Sequence, residues 1–374
     1  MSDMKKILLT GVTSSIGIHI LKLLLSDRSI KISVLLRGAN EEEAKGRLEA
    51  LCKRFNNYDK DFERWEKIEI VLGDLTKIHC GVKPERYKHL KDSITEIYHC
   101  AALTNFNESL KNVRRVNVEG TKNILELAKN CKTFEKVNYI SSVFISGSFA
   151  GFFNEDNRDV GQSFNNYYEQ SKFEAELLLE EYVTKGLTVV IYRLSVVTGE
   201  LNGQMTHLHG LFHQFIRLLT LQVFDRLPIA RNCKINLIPC DIAATAIYTL
   251  SNNYDQSKIY HIISKKSISL QRLVKLISKY LECNVPECTA AEEFDLNRLD
   301  AVHKKILIPF LPYFNSQVIL TSDKTIRELE KFDFQFPEIN RQYIVKILEF
   351  GKRLGYFKSL SREIKDKIIL DGRK

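Results

Sequence analysis

The chain has 374 residues, more than twice the ~150 of a typical domain, so two domains or one large domain with an appended lobe are expected. Hydrophobic residues make up 44%, aromatic 10% and charged 27%, with 17 glycines and 7 prolines, which excludes a disordered, collagen-like or fibrous protein. The net charge of +9 is scattered, and the one basic run, Arg362 to Lys374, is diluted by acids and reads as a solvated helix end, so no nucleic-acid partner is expected.

Eight cysteines lie far apart, without C-x-x-C pairs or the density of a secreted scaffold, and read as reduced. The N-terminus enters a strand-like run with no signal region, and no apolar stretch reaches the ~18 residues of a transmembrane segment. These features predict a soluble, cytoplasmic protein.

The first predicted strand, Lys6–Thr10, is joined to an amphipathic helix, Ile16–Leu25, by Thr10-Gly11-Val12-Thr13-Ser14-Ser15-Ile16-Gly17. Glycines at such a turn let the backbone approach a pyrophosphate, and the helix N-terminus offers free N–H groups to it. Thr10, Gly11, Thr13, Ser14, Ser15, Ile16 and Gly17 are therefore candidate cofactor-binding residues. A glycine pair alone is weak evidence; its place between strand and helix strengthens it. No lysine follows Gly17, which argues against a nucleoside-triphosphate loop.

The second strand, Lys31–Leu36, ends at Arg37, about 20 residues past Gly17, where an NAD site places an acid against the ribose. A guanidinium there instead favours a 2′-phosphate, hence NADPH; the plainer reading is a surface arginine closing a strand. Arg47, in the predicted helix Glu42–Phe55, is a candidate second cation beside its ordinary reading as a solvated helix residue. The third strand, Lys67–Leu72, runs into Gly73-Asp74-Leu75, and the fourth, Ile94–His99, into Cys100-Ala101-Ala102. Small residues at strand ends let a flat cofactor lie on the backbone, and Asp74 is placed to accept from an adenine amino group.

After a helix over Asn112–Asn130, the fifth strand, Lys136–Ser141, ends in Ser141-Ser142, both hydroxyls being expected in the same crevice. The helix Tyr167–Thr184 carries Tyr168 and Lys172 at i, i+4, a spacing that puts phenol and ammonium on one face. A lysine so close is expected to lower the phenol pKa toward working pH, as a proton donor in carbonyl reduction requires. Strands Thr188–Tyr192 and Lys258–Ile262, with the helix Asp241–Leu250, complete a doubly wound α/β parallel sheet of the Rossmann type. Residues 1–200, with sheet-completing segments to about 264, are assigned to it.

Residues 201–374 are assigned to a smaller, mainly helical substrate lobe, with helices predicted at Leu208–Leu221, Leu270–Leu281, Thr321–Phe332 and Arg341–Leu354. His207, His209 and His213 invite a metal reading, but no neighbouring ligand completes a set; they are expected to line the cleft, and no metal is expected. Phe310, Tyr313, Phe314, Phe332, Phe334 and Phe336 read as a packed core, part of which would wall an acyl channel.

Seven motifs in order make the chain resemble an extended short-chain dehydrogenase/reductase: the T-G-x-x-x-x-x-G turn, Gly73-Asp74, His99-Cys-Ala-Ala102, Asn117-Val-Glu-Gly-Thr121, Ile140-Ser-Ser142, Tyr168-x-x-x-Lys172 and Tyr192-Arg-Leu194. Val34-Leu-Leu-Arg37, Arg47-Leu48, His99-Cys-Ala-Ala-Leu-Thr-Asn-Phe106, Tyr168-Glu-Gln-Ser-Lys-Phe-Glu-Ala-Glu176, Gly199-Glu-Leu-Asn-Gly203 and Leu237-Ile-Pro-Cys-Asp241 resemble its thioester-reductase and fatty-acyl-reductase branch. By that likeness Ser142 and Tyr168 would polarise the carbonyl, Lys172 would bind the nicotinamide ribose and tune Tyr168, and Asn117 would brace the site. Two departures stand out. Ser14 replaces the family's middle glycine, which is expected to weaken or reorient the cofactor, and Cys240 replaces a valine, a swap expected to matter little.

The resemblance implies an NADPH-dependent reductase of an acyl thioester, carried by a separate carrier protein or coenzyme A, with aldehyde or alcohol as product. A sugar-nucleotide epimerase, a dehydratase or a hydroxysteroid-type dehydrogenase is the rival enzyme reading. A non-catalytic NADP(H)-sensing protein is the rival of another class. No oligomeric state follows from the sequence.

Overall fold

Runs rich in β-branched and aliphatic residues form seven strands: β1 (Lys5–Thr10), β2 (Ile30–Leu36), β3 (Ile68–Leu72), β4 (Glu96–His99), β5 (Lys136–Ser142), β6 (Val189–Leu194) and β7 (Lys258–Ile262). They are seen in a computed structural model that describes residues 5–54, 64–205, 207, 210–253, 256 and 258–357. All pair in parallel, in the order β7-β6-β5-β4-β1-β2-β3. The winding reverses between β1 and β4, and a crevice opens at the C-terminal ends of such neighbours. Register places Thr10 opposite His99, and His99 opposite Tyr139, so three polar side chains stand in one row at that edge.

The longer helices among the described residues are α1 (Ser15–Ser26), α2 (Glu41–Cys52), α3 (Pro84–Ser93), α4 (residues 110–129), α5 (Tyr167–Thr184), α6 (Leu211–Leu221), α7 (Cys240–Asn252), α8 (Leu270–Tyr280), α9 (Asp323–Glu330) and α10 (Arg341–Arg353). A parallel sheet must be covered on both faces. One face is covered by α1, α2 and α7, with Ile18, Leu21, Leu48, Ala243 and Ile247 in its core. The other is covered by α3, α4 and α5, through Leu90, Ile124, Ala128, Ala175 and Leu179. Each fully buried leucine or isoleucine contributes about 1.5–3 kcal/mol.

A third core lies apart from both faces. It joins Val196, Phe212, Phe215, Val274, Phe314, Ile344 and Phe357, from the segments after β6. A short parallel ribbon, Gly151–Phe153 with Val318–Leu320, ties the loop after β5 to this region.

The doubly wound sheet agrees with the sequence reading; the differences are local. The polar helix α3 was not anticipated because only Tyr87 and Leu90 of it are buried, too few for an apolar stripe. The helix expected over Asn112–Asn130 is interrupted by a π turn at Arg115–Glu119, between Leu110–Arg114 and Gly120–Lys129. The helix expected over Thr321–Phe332 is limited to Asp323–Glu330. The six-aromatic core divides: Phe310 and Phe314 lie in the third core, Tyr313 is half-buried beside them, Phe334 and Phe336 pack on the sheet, and Phe332 is 40% exposed. Phe55, His209 and the run Arg362 to Lys374 lie outside the described residues.

Candidate active site

The turn between β1 and α1 is closed on itself. The Ser14 N–H donates to the Gly11 carbonyl at 2.9 Å, and the Ser14 hydroxyl accepts from the Gly17 N–H at 3.0 Å, which makes Ser14 the N-cap of α1. Gly11 has φ +67°, and a Cβ there would lie 2.4 Å from the Ala101 nitrogen; one on Gly17 would lie 2.2 Å from the Gly11 carbonyl oxygen. The two glycines thus let the turn pack against the Cys100–Ala101 backbone and against itself, which sets the N-terminus of α1 at the strand ends, a place that suits an anionic pyrophosphate. Thr10 is buried, its hydroxyl 2.6 Å from His99 Nδ1, while Thr13 is exposed and its carbonyl accepts from His207 Nε2.

Around the outer strand ends, Arg37 is exposed beyond β2 and its carbonyl accepts from Arg47 Nη2 at 2.5 Å. Arg47 also pairs with Glu43 at 3.5 Å, so its guanidinium is partly committed to holding Arg37 rather than standing as a second free cation. Asp74 Oδ1 accepts from the N–H and hydroxyl of Thr76, at 3.0 and 2.8 Å. Burial pushes the Asp74 carboxyl up, but Thr76, Arg37 and Lys77 outweigh it and hold it below the ordinary value. The Leu75 carbonyl accepts from Asn123 Nδ2 at 2.7 Å. Arg37, Arg47, Asp74 and Leu75 lie outside the lining of the inner cavity.

That cavity, about 310 Å³, is lined by Ser14, Ser15, Ile16 and Ala102 on the turn side and by Ser142, Tyr168 and Lys172 on the other. Tyr168 sits in the first turn of α5, which is capped by the Asn166 side chain accepting from the Glu169 N–H. Burial pushes the Tyr168 phenol up to about 12, while a hydrogen bond with Ser142 pulls it down. Lys172 is 2% exposed, and its Nζ donates to the Ile140 carbonyl at 2.6 Å and the Tyr139 hydroxyl at 3.0 Å. Burial pushes this ammonium down to about 7, against the opposite pull of Glu176 and Cys100. Asn117, on the π turn, grips the loop after β4: its Oδ1 accepts from the Leu103 N–H at 2.7 Å and its Nδ2 donates to the Leu103 carbonyl at 3.1 Å. The same Nδ2 donates to Ser171 Oγ at 2.9 Å, and Ser171 donates to the Tyr168 carbonyl at 2.9 Å, so Asn117 reaches the tyrosine through one intermediary.

Residues 9–247, well over half of the chain, match the family model described as male sterility protein, a family of NAD-binding domains. The chain belongs to this family. It is similar to a subunit of the linear gramicidin synthase of Brevibacillus parabrevis, with 26% identity over 95% of the chain and 7% of that protein. It spans under a third of the length of such curated relatives. Among solved structures it is similar to the terminal R domain from the myxalamid PKS-NRPS biosynthetic pathway, with TM-score 0.82, 23% identity and 96% and 93% of the two chains covered. It is also similar to a thiolation-reductase di-domain from an archaeal non-ribosomal peptide synthetase, with TM-score 0.78, 23% identity and 95% and 76% covered. At these identities the structural likeness establishes the shared fold.

This male sterility protein family member departs from its sequence reading at five residues. Lys172 is turned to Tyr139 and the Ile140 carbonyl, and Tyr168 is raised rather than lowered, because burial of the phenol dominates its surroundings. Ser141 lines the same cavity as Ser142, but its hydroxyl is not offered to it, since it donates to Glu176 at 2.6 Å. Ser14 is engaged in capping, so its hydroxyl is drawn back onto Gly17. Cys240 is no idle swap, since its Sγ lies 3.7 Å from His19 Nε2, beside Glu200 at 3.5 Å from the same nitrogen. Burial alone would push the His19 imidazole down; Cys240, Glu200 and the Ser15 carbonyl reverse this and hold it well above its ordinary value.

Several contacts around the site escaped the sequence reading, although Tyr313, Phe106, Arg193 and Glu176 stand in the segments it quoted. Phe106 lies 5.6 Å from both Tyr168 and Tyr313, and Phe144 lies 5.0 Å from Tyr313, ring centre to ring centre. The Tyr313 hydroxyl donates to Glu169 at 2.6 Å and accepts from Asn166 at 2.8 Å, fastening the third core to the start of α5. Arg193 and Glu176, both fully buried, pair at 2.7 Å beneath the site. Of the histidines, His213 Nε2 lies 2.9 Å from the Met205 sulfur. Among the described residues no group of three or more His, Cys, Asp or Glu is arranged to hold a metal, and no helix is long and apolar enough to cross a membrane.

Proposed function

We propose that the chain is an NADPH-dependent reductase that converts an acyl thioester to an aldehyde. The observation that carries this reading is that Ser142, Tyr168 and Lys172 line the same cavity as Ser14 and Ser15 of the turn between β1 and α1. The tight turn that Gly11 and Gly17 allow at the N-terminus of α1 fits a dinucleotide pyrophosphate, and a bound nicotinamide would supply the hydride. Ser142 and Tyr168 then hydrogen-bond the oxygen that gains charge at the attacked carbonyl, and Tyr168 delivers its proton there. The resulting thiohemiacetal loses its thiol and leaves the aldehyde. A second hydride transfer at the same groups would give the alcohol.

Lys172 binds the nicotinamide ribose, and Asn117, through Ser171, holds the Tyr168 backbone in register. Arg37, supported by Arg47, receives the 2′-phosphate; no acid stands at that position to favour NADH. The third core forms the substrate lobe of residues 201–374, and the sheet with its covering helices forms the nucleotide domain. The substrate is presented on a carrier protein or coenzyme A, a reading supported by the archaeal structural relative, in which a thiolation domain is paired with the reductase. The free cysteines support a cytoplasmic setting.

The test is NADPH oxidation with a panel of acyl-coenzyme A and carrier-bound thioesters, with trapping of the aldehyde. Oxidation without aldehyde or alcohol, or no oxidation with any member, rejects the reading.

A further inference from the structure

Ser195 follows β6 and is 5% exposed, yet its hydroxyl has no hydrogen-bond partner among the described residues. Leaving such a group unpaired costs on the order of tenfold in an equilibrium constant, so its position calls for a partner that arrives from outside the protein. Ser195 lines the catalytic cavity and also a second chamber of about 500 Å³, a size suited to a small-molecule group. Phe144, Val196 and Leu211 line both as well, and form the throat between them.

Beyond the throat the inner wall is apolar, with Phe215, Leu270, Phe310 and Phe314 buried and Val318 half-buried, while the exposed Lys234, Lys265, Lys266 and Ser267 stand on the outer rim and the buried Asn236 is hydrogen-bonded to Ser264. A pantetheine arm placed against this inner wall would strand its amides on hydrocarbon. An alkyl or aryl chain would not. The catalytic cavity has polar lining of its own at Thr104, Asn105 and Gln214, which suits the arm.

We propose that the chamber receives the acyl chain of the thioester, and that Ser195 at its throat hydrogen-bonds a hydroxyl, keto or amide group carried by that chain close to the thioester. The proposal rests on the reductase reading and adds a substrate class to it: extended acyl groups with a polar substituent near the carbonyl, as opposed to short or plain acyl groups. No covalent step is added. Ser195 acts as a specificity-determining contact.

The experiment uses N-acetylcysteamine thioesters of butanoate, dodecanoate and each enantiomer of 3-hydroxydodecanoate with NADPH. Each buried methylene is worth up to roughly fourfold in binding, so kcat/KM for dodecanoyl should exceed that for butanoyl by at least tenfold. One 3-hydroxy enantiomer should exceed dodecanoyl by about tenfold, and Ser195→Ala should bring the two within about twofold. Val318→Trp and Ile319→Trp, which fill the wall and the exposed rim, should each lower the dodecanoyl-to-butanoyl ratio at least tenfold; either variant with an unchanged melting curve decides the point.

Equal kcat/KM for butanoyl and dodecanoyl in the unmodified protein overturns the chamber. A hydroxyl preference that is absent, or that survives in Ser195→Ala, overturns the role of the serine. If no thioester is turned over, the reductase reading fails on its own, and calorimetric titration then judges the chamber. Dodecanoyl-N-acetylcysteamine binding at least tenfold tighter than the butanoyl ester supports it, and equal dissociation constants overturn it.

Discussion

A phenol held at about 12 by burial stays protonated through the physiological range, which is the state a proton donor needs before the carbonyl is attacked. Tyr168→Phe keeps the ring and its packing on Phe106 but removes that proton. The expected result is a fall in kcat of roughly 10²–10⁴ with little change in cofactor affinity; near-normal turnover would remove Tyr168 from the mechanism. Lys172 offers a second test through stability. Its folded value lies near 7 and its ordinary value at 10.5, so between those pH values the unfolded chain holds more protons and stability rises with pH. Below about 7 both states are protonated and the full cost of burying the ammonium is present. Lys172→Met removes the cost, so the variant should gain more in melting temperature over the unmodified protein at pH 6 than at pH 9. A gap that does not vary with pH contradicts the assignment. At the far end of the cofactor, Arg37 should favour NADPH over NADH by at least ~1.4 kcal/mol, about tenfold, and Arg37→Asp should narrow or invert the ratio; equal dissociation constants in the unmodified protein count against it.

The first turn of α1 shows how one element converts a sequence anomaly into a structural part. A serine in place of glycine reads as an obstruction when only its bulk is considered, but its hydroxyl occupies the Gly17 N–H. An N-cap changed to glycine loses only a few tenths of a kcal/mol. Ser14→Gly should therefore shift the cofactor dissociation constant by less than about threefold, roughly 0.6 kcal/mol, and titration should separate it from Gly11→Ala, where the added Cβ would lie 2.4 Å from the Ala101 nitrogen and binding should be lost. A large loss in Ser14→Gly would mean that the hydroxyl serves the cofactor directly. The turn, the strands and the Tyr168/Lys172 pair were legible because each depends on near neighbours: period, glycine position, or spacing along one helix. The contacts of Phe106 and Phe144 with Tyr313 were not, since these rings meet only through tertiary packing across more than 150 residues of chain. The direction of Lys172 was missed for the same reason. Its partner Tyr139 faces it only because β5 lies beneath α5.

At the scale of the molecule, 55 basic against 46 acidic residues give +9, and the question is whether that excess does anything beyond solubility. A carrier-bound thioester brings a phosphate and, on many carriers, an acidic docking helix, whereas a small uncharged thioester brings neither. Long-range attraction raises the encounter rate and is screened beyond about 8 Å at physiological salt, while burial of the acyl chain and hydrogen bonds inside the cavity are screened far less. If the excess charge steers a carrier, kcat/KM for the carrier-bound substrate should fall with ionic strength, and that for the small thioester should stay nearly level. Parallel titrations from low to high salt with both substrates give the answer. Curves of equal slope would leave the +9 as a solubility feature without disturbing the chemistry at Ser142 and Tyr168, because that chemistry draws on buried groups whose interactions salt does not reach.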